Sequence, residues 1–235
     1  MKVRVKFAKD GVMKFVGHLD IMRYFQKAIR RAGIDIAYSE GFSPHMIISF
    51  ASPLGVGLTS EGEYFDMQLR TALPSTELVR RLDSMMVEGM RVISAVQTPD
   101  EKASKAMSLV AAADYRIAFR ESQPLPKNWQ ERFAAFMERS SVIIHKKTKK
   151  GERELDIRPL VYEWRFEGDT IFMRVSSGSS DNLRPEYLME AFFEAEGLTL
   201  VPFAFQTHRL EVYADLGQEG KHDFRSLESL GKIIA

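Results

Sequence analysis

His18 and His45 are the side chains of this chain best suited to moving a proton, because imidazole titrates near neutral pH. Brought into one cleft they would form an acid–base pair. The alternative for His18 is a hydrogen-bonded histidine on the apolar side of a helix. Asp20 lies three residues before Arg23, so an i,i+3 ion pair accounts for it. A metal site is not expected. His-x-Asp lacks the spacing of a helical ligand pair, and no third ligand is evident.

A second group of residues is suited to binding an anion. Arg23, Lys27, Arg30 and Arg31 fall at i, i+4, i+7 and i+8, which is one face of a helix. No acid interrupts them from Ile21 to Gly33. A phosphate backbone would compensate their mutual repulsion. The alternative is a solvated face whose last cations suit the helix dipole. Lys146, Lys147, Lys149, Lys150 and Arg153 crowd around Gly151 and read as a basic hairpin tip. Lysines there also serve simply to block edge pairing. Lys2, Arg4 and Lys6 alternate with Val3, Val5 and Phe7, which gives a strand one basic face.

A third candidate is the Gly/Ser/Pro-rich run from Tyr38 to Tyr64. Ser39, Gly41, Phe42, Pro44, His45, Gly55, Gly57, Glu61 and Glu63 are its candidate cleft residues. Gly41 supports a turn, and Pro44 biases Ser43 away from helical geometry. The long passage from strand to strand suggests a binding loop whose N–H groups line an anion site. It is no P-loop, since Gly-Lys-Ser/Thr is absent and acids follow. The alternative is a rigid hairpin with serines as turn residues.

These residues must be positioned by a scaffold. Strands are expected at Val3–Phe7, Met46–Phe50, Glu63–Leu69 and Met90–Val96. Helices are expected at Leu19–Ala32 and around Leu78–Met86, ended by Gly33 and Gly89. The order βαββαβ is the ferredoxin-like, split-βαβ arrangement. After a connector at 99–113 the order recurs. Strands are expected at Tyr115–Phe119, Val142–Ile144, Leu155–Phe166, Ile171–Val175 and Arg209–Tyr213. Helices follow Asn128, through a capping box with Glu131, and Pro185, as a first helical residue. The predicted fold is α+β: two tandem ferredoxin-like units with antiparallel sheets. The expected domains are 1–98 and 114–215, with a polar, loosely attached tail at 216–235.

Composition narrows the function classes. The chain has 235 residues, 45% of them hydrophobic and 28% charged, which suits a soluble globular protein. It has no cysteine, which removes disulfides, thiolate metal sites and a cysteine nucleophile. No apolar run reaches membrane-span length, and the charged start without a following apolar stretch is no signal peptide. A reducing cytoplasm is the simplest setting. With a net charge of +1, affinity for nucleic acid must come from local patches.

The motifs add a resemblance. Lys14–Asp20 (K-F-V-G-H-L-D), Arg30–Gly33, Tyr38–His45 (Y-S-E-G-F-S-P-H), Ser49–Leu54 and Gly55–Tyr64 resemble the radical-SAM-linked protein family. Lys146–Pro159 carries a weaker echo. The resemblance implies a partner of a radical S-adenosylmethionine protein, in a setting of RNA processing. Without Cys-x-x-x-Cys-x-x-Cys this chain would bind no cluster or other cofactor itself. The leading reading is a non-catalytic, RNA-binding or substrate-presenting partner of such an enzyme, with tRNA or rRNA as ligand. The alternatives are a metal-independent endoribonuclease, similar in architecture to CRISPR repeat-processing nucleases, and a protein-only docking module.

Overall fold

The computed structural model describes residues 1–101, 104–148, 151–179, 181–218 and 220–235, with only the backbone described at 146–148, 152 and 153. It is a mixed α+β protein with mostly antiparallel strands and, among the described residues, five α-helices. The chain divides into two compact units. Unit 1 comprises Met1–Ala112 and Arg209–Ala235, and unit 2 comprises Ala113–His208.

Unit 1 runs β1 (Lys2–Lys9), α1 (His18–Arg31), β2 (Ile48–Ala51), β3 (Thr59–Gln68), α2 (Ser75–Asp83), β4 (Met90–Gln97) and the short α3 (Ala106–Leu109). β1 lies between β4 and β3, and β2 pairs with β3; all these pairs are antiparallel. The register Val3↔Met67, Arg4↔Asp66, Val5↔Phe65 follows from alternation. A one-residue slip would turn the valines out and the cations in. Val3, Val5, Phe65 and Met67 therefore share one face, where they meet Ile21, Phe25 and Ile29 of α1 and Leu78 and Leu82 of α2. Phe7, Phe25, Phe50 and Phe65 form the centre, with ring centroids 4.7 to 6.0 Å apart. Each fully buried ring contributes about 1.5–3 kcal/mol from area alone. α1 stops where expected, with Gly33 at φ +63 and its N–H on the Arg30 carbonyl.

Unit 2 begins in β5 (Val110–Phe119). It continues through α4 (Trp129–Met137), a separate hairpin of β6 (Ile143–Thr148) and β7 (Gly151–Asp156), β8 (Val161–Glu167), β9 (Thr170–Ser176) and α5 (Pro185–Ala195). β9 lies between β5 and β8. The expected strand Leu155–Phe166 is two strands. A 3₁₀ turn at Arg158–Leu160 separates them, because Pro159 cannot donate to a ladder. Asn128 makes no side-chain cap on α4, contrary to the capping-box expectation; its φ of −102 and ψ of 26 are not the extended geometry a cap needs. Pro185 does open α5.

β10 (Phe205–Asp215) carries the chain out of unit 2, and its Arg209–Asp215 portion belongs to unit 1 with β11 (Phe224–Ser226). The unit boundaries thus fall at 112/113 and 208/209 rather than at 98, 114 and 215. The C-terminal segment is not a loose tail. Leu227 is fully buried, Gln97 and Lys232 exchange backbone hydrogen bonds, and Ser75 and Ile234 are joined twice.

Candidate nucleic-acid interface

α1 positions the anion-binding candidates. Ile21, Phe25, Ala28 and Ile29 hold it on the sheet, so its opposite face looks to solvent. Arg23, Lys27, Arg30 and Arg31 are all exposed there. Arg23 leans 3.1 Å from Asp20, the local pair expected. The side chains of Lys27 and Arg30 have no hydrogen-bond or ion-pair partner among the described residues.

Arg4 and Lys6 of β1 are spent on the protein itself. Arg4 is 1% exposed and grips both oxygens of Asp66, at 2.8 and 3.2 Å. It also donates to the carbonyls of Leu227 and Ser104. Lys6 bridges Glu211 and Glu228 at 2.6 and 2.8 Å. Burial pulls the Lys6 ammonium down, but those carboxylates outweigh it and its pKa is raised. The basic face of β1 is therefore a neutralised, covered surface. Of the basic hairpin, Lys149 and Lys150 lie outside the described residues, as do the side chains of Lys146 and Lys147.

The run Tyr38–Tyr64 resolves into separate pieces. Ser39 and His45 close its first turn: Ser39 N–H donates to the His45 carbonyl, His45 N–H to the Ser39 hydroxyl, and that hydroxyl lies 2.8 Å from His45 Nδ1. Gly41 turns at φ +105, and Phe42 and Pro44 are exposed on the tip. The link from β2 to β3 is only 52–58, too short to be the long binding loop expected. Its Gly57, at φ +92, donates its N–H to the Lys14 carbonyl at 2.7 Å, so that N–H is not available to an anion. Gly55 and Glu61 are exposed, with Glu61 already inside β3. Glu63 is buried against Arg209.

The two histidines do not meet. His18 is the first residue of α1, half-buried, with its ring edge-on to Phe50 at 5.4 Å. Phe50 and Met46 belong to the core, whereas His45, three residues before β2, is exposed. His45 lines a cavity of about 170 Å³ with Lys2, Asp66, Ser104 and Lys105. The sequence reading of one cleft shared by His18 and His45, facing the basic helix, is not the observed geometry. No three His, Asp or Glu side chains among the described residues gather where a metal could sit. No described helix is long and apolar enough to cross a membrane.

Two features escaped the sequence reading. One is a buried cluster of Lys9, Glu63 and Arg209, with Lys9 Nζ on the Val16 carbonyl at 3.1 Å. Burial lowers the Lys9 pKa, against the pull of Glu63. The other is a group of exposed apolar residues just before and beside α1: Val12, Phe15, Leu19 and Val56, each at least 60% exposed. Leu19 could have been found from periodicity, since it sits opposite the buried stripe.

Comparisons with known proteins bear on family more than on activity. No curated protein matches the chain. Among solved structures, a chain of the crystal structure of a Cbf5-Nop10-Gar1 complex aligns at 9% identity with a TM-score of 0.46. The alignment covers 89% of this chain and 48% of that one, so this chain spans about half the length of that relative. An unknown protein from Galdieria sulphuraria aligns at 14% identity with a TM-score of 0.24, over 88% of this chain and 96% of that one. The model of a bacterial family matches residues 2–185, a span that holds α1 and every motif around it. The chain belongs to that family, the uncharacterized proteins conserved in bacteria termed DUF2344.

Proposed function

We propose that this protein is a non-catalytic RNA-binding component that presents RNA to a radical S-adenosylmethionine enzyme in the cytoplasm. One observation carries the RNA part. The outward face of α1 keeps Arg23, Lys27, Arg30 and Arg31 exposed, while Arg4, Lys6 and Arg209 of the same unit are neutralised by buried or half-buried carboxylates. Exposed cations gathered on one helix, two of them with no side-chain partner among the described residues, suit a polyanion, and phosphate contacts supply most nucleic-acid affinity. The enzyme partner rests on the motif resemblance of Lys14–Tyr64 alone. Unit 1 has the element order βαββαβ with β1 and β3 central, which supports a ferredoxin-like reading of it. In unit 2 the same reading requires β6 and β7 to be an inserted hairpin.

The endoribonuclease alternative loses support from the histidines: His18 packs on Phe50, and His45 is bound to Ser39. Neither has the other as an acid–base partner. The test of the proposal is filter binding of tRNA and rRNA fragments at low ionic strength. Micromolar or tighter binding is expected; no binding to any fragment would overturn the RNA reading. Co-purification with a radical S-adenosylmethionine protein tests the partner separately.

A further inference from the structure

The RNA-binding reading leaves open which kind of RNA the helix takes, and the residues at its N-terminal end bear on that. Phe15 closes the 3₁₀ turn Gly11–Phe15 and is 67% exposed. Side chains three apart in a 3₁₀ turn eclipse, so Val12, 74% exposed, shares its face. Val56 is brought to the same turn because the next residue, Gly57, donates its N–H to the Lys14 carbonyl. Leu19 follows on the first turn of α1 and is 60% exposed. At 100° per residue Leu19 stands on the same face as Arg23, Lys27 and Arg30. Exposed apolar side chains on the 3₁₀ turn and at the start of α1 are thus followed along the chain by exposed cations on α1.

Exposed apolar side chains gathered at one turn and rimmed by charge fit a binding surface. The line of exposed cations makes the partner anionic, and Phe15 gives it a flat surface to rest on. The Lys14 ammonium, 5.3 Å from the ring centroid, lies over Phe15 and adds positive charge beside it. Paired A-form RNA offers phosphates but keeps its base faces stacked inside the helix. Single-stranded loops and bulges offer both phosphates and an unstacked base.

We infer that Phe15 is a stacking platform for an unpaired nucleotide, and that the RNA taken by α1 is single-stranded or looped. This rests on the RNA-binding reading and narrows it. The nucleotide lies on Phe15, within the collar of Val12, Leu19 and Val56, and the following phosphates run along Arg23, Lys27 and Arg30.

The test uses the full chain, a labelled hairpin RNA with an unpaired loop, and the loop-free duplex of the same stem, followed by fluorescence anisotropy. The wild type is expected to prefer the looped RNA. Phe15→Leu keeps the apolar bulk and removes the ring; it is expected to weaken looped-RNA binding by roughly 5- to 150-fold, the range for losing one base–aromatic stack. Its duplex affinity should not change, and Phe15→Trp should retain looped-RNA binding. Equal wild-type affinity for loop and duplex, or Phe15→Leu binding the loop as the wild type does, overturns the inference and leaves RNA binding itself standing. Failure of the wild type to bind either RNA overturns both.

Discussion

Arg209 sets two guanidinium nitrogens on a single oxygen of Glu63, Nε at 2.9 Å and Nη2 at 2.5 Å, with both side chains at most 4% exposed. Its Nη2 also donates to the carbonyl of Ser52, a residue held at φ +40. This pair joins β3 to β10 within unit 1, close behind the 3₁₀ turn through Lys9, whose ammonium feels both charges.

A buried pair of this kind is costly to break from one side. Arg209→Met leaves the Glu63 carboxylate in the interior without its donor. The expected loss is about 3–5 kcal/mol in urea unfolding. The double variant Arg209→Met, Glu63→Leu removes both charges and should recover part of that loss. Equal stability of Arg209→Met and the wild type would show that the pair is open to water.

Close backbone approach makes a second prediction. A Cβ on Gly62 would stand 2.6 Å from Glu211 Cα and 2.7 Å from the Leu210 carbonyl. Gly62→Ala should therefore cost about 1–3 kcal/mol, since backbone on both sides must shift. Gly168 meets nothing within 4 Å but stands at φ +63, so Gly168→Ala should cost only the backbone strain of about 1 kcal/mol. Thermal melts of the two variants side by side check this.

How far the sequence anticipates the molecule follows from the range of each interaction. α1 was legible from Met22, Phe25 and Ile29 and its Gly33 stop, because periodicity and capping act within a few residues. The i,i+3 pair of Asp20 and Arg23 was legible for the same reason. Arg209 and Glu63 are 146 residues apart, and Arg4 reaches the carbonyl of Leu227 across 223. No local pattern reports such partners, so Glu63 read as a loop acid and residues 216–235 as a tail. The paired-histidine cleft failed for a related reason: His18 packs on Phe50, 32 residues away, while His45 is tied into its own turn by Ser39.

The covered basic strand gives a prediction in pH. The folded state raises the Lys6 pKa through Glu211 and Glu228, so this stabilisation is present below the unfolded value of 10.5 and fades as pH rises through the folded value. Tyr64, whose pKa burial and Glu211 also raise, acts in the same direction. Glu228 is lowered: burial opposes, but Lys6 and Ser94 prevail. Its stabilisation is present above about 4.5 and fades as pH falls through the folded value. Wild type minus Lys6→Met, measured by urea unfolding, should thus be largest between about pH 5 and 10 and shrink on both sides. A pH-independent difference would contradict the network.

The C-terminal segment supplies the cover. Leu227 is fully buried and its carbonyl receives Arg4. Leu227→Ala should cost about 2–5 kcal/mol, as for a core leucine rather than a tail residue. A change below about 0.5 kcal/mol, read from urea unfolding, would return this segment to the status of an appendage.

The central claim is that the exposed cations of α1 hold RNA phosphates. Its most direct test is the salt dependence of RNA affinity for the wild type and for Arg23→Gln, Lys27→Gln, Arg30→Gln, Arg31→Gln combined. The four side chains lie on the surface, so circular dichroism should report an unchanged fold. If each neutralises one phosphate, the slope of log K against log salt should become shallower by about 3 to 4 in the variant. An unchanged slope and affinity would contradict the claim and move the RNA, if it binds, off this helix.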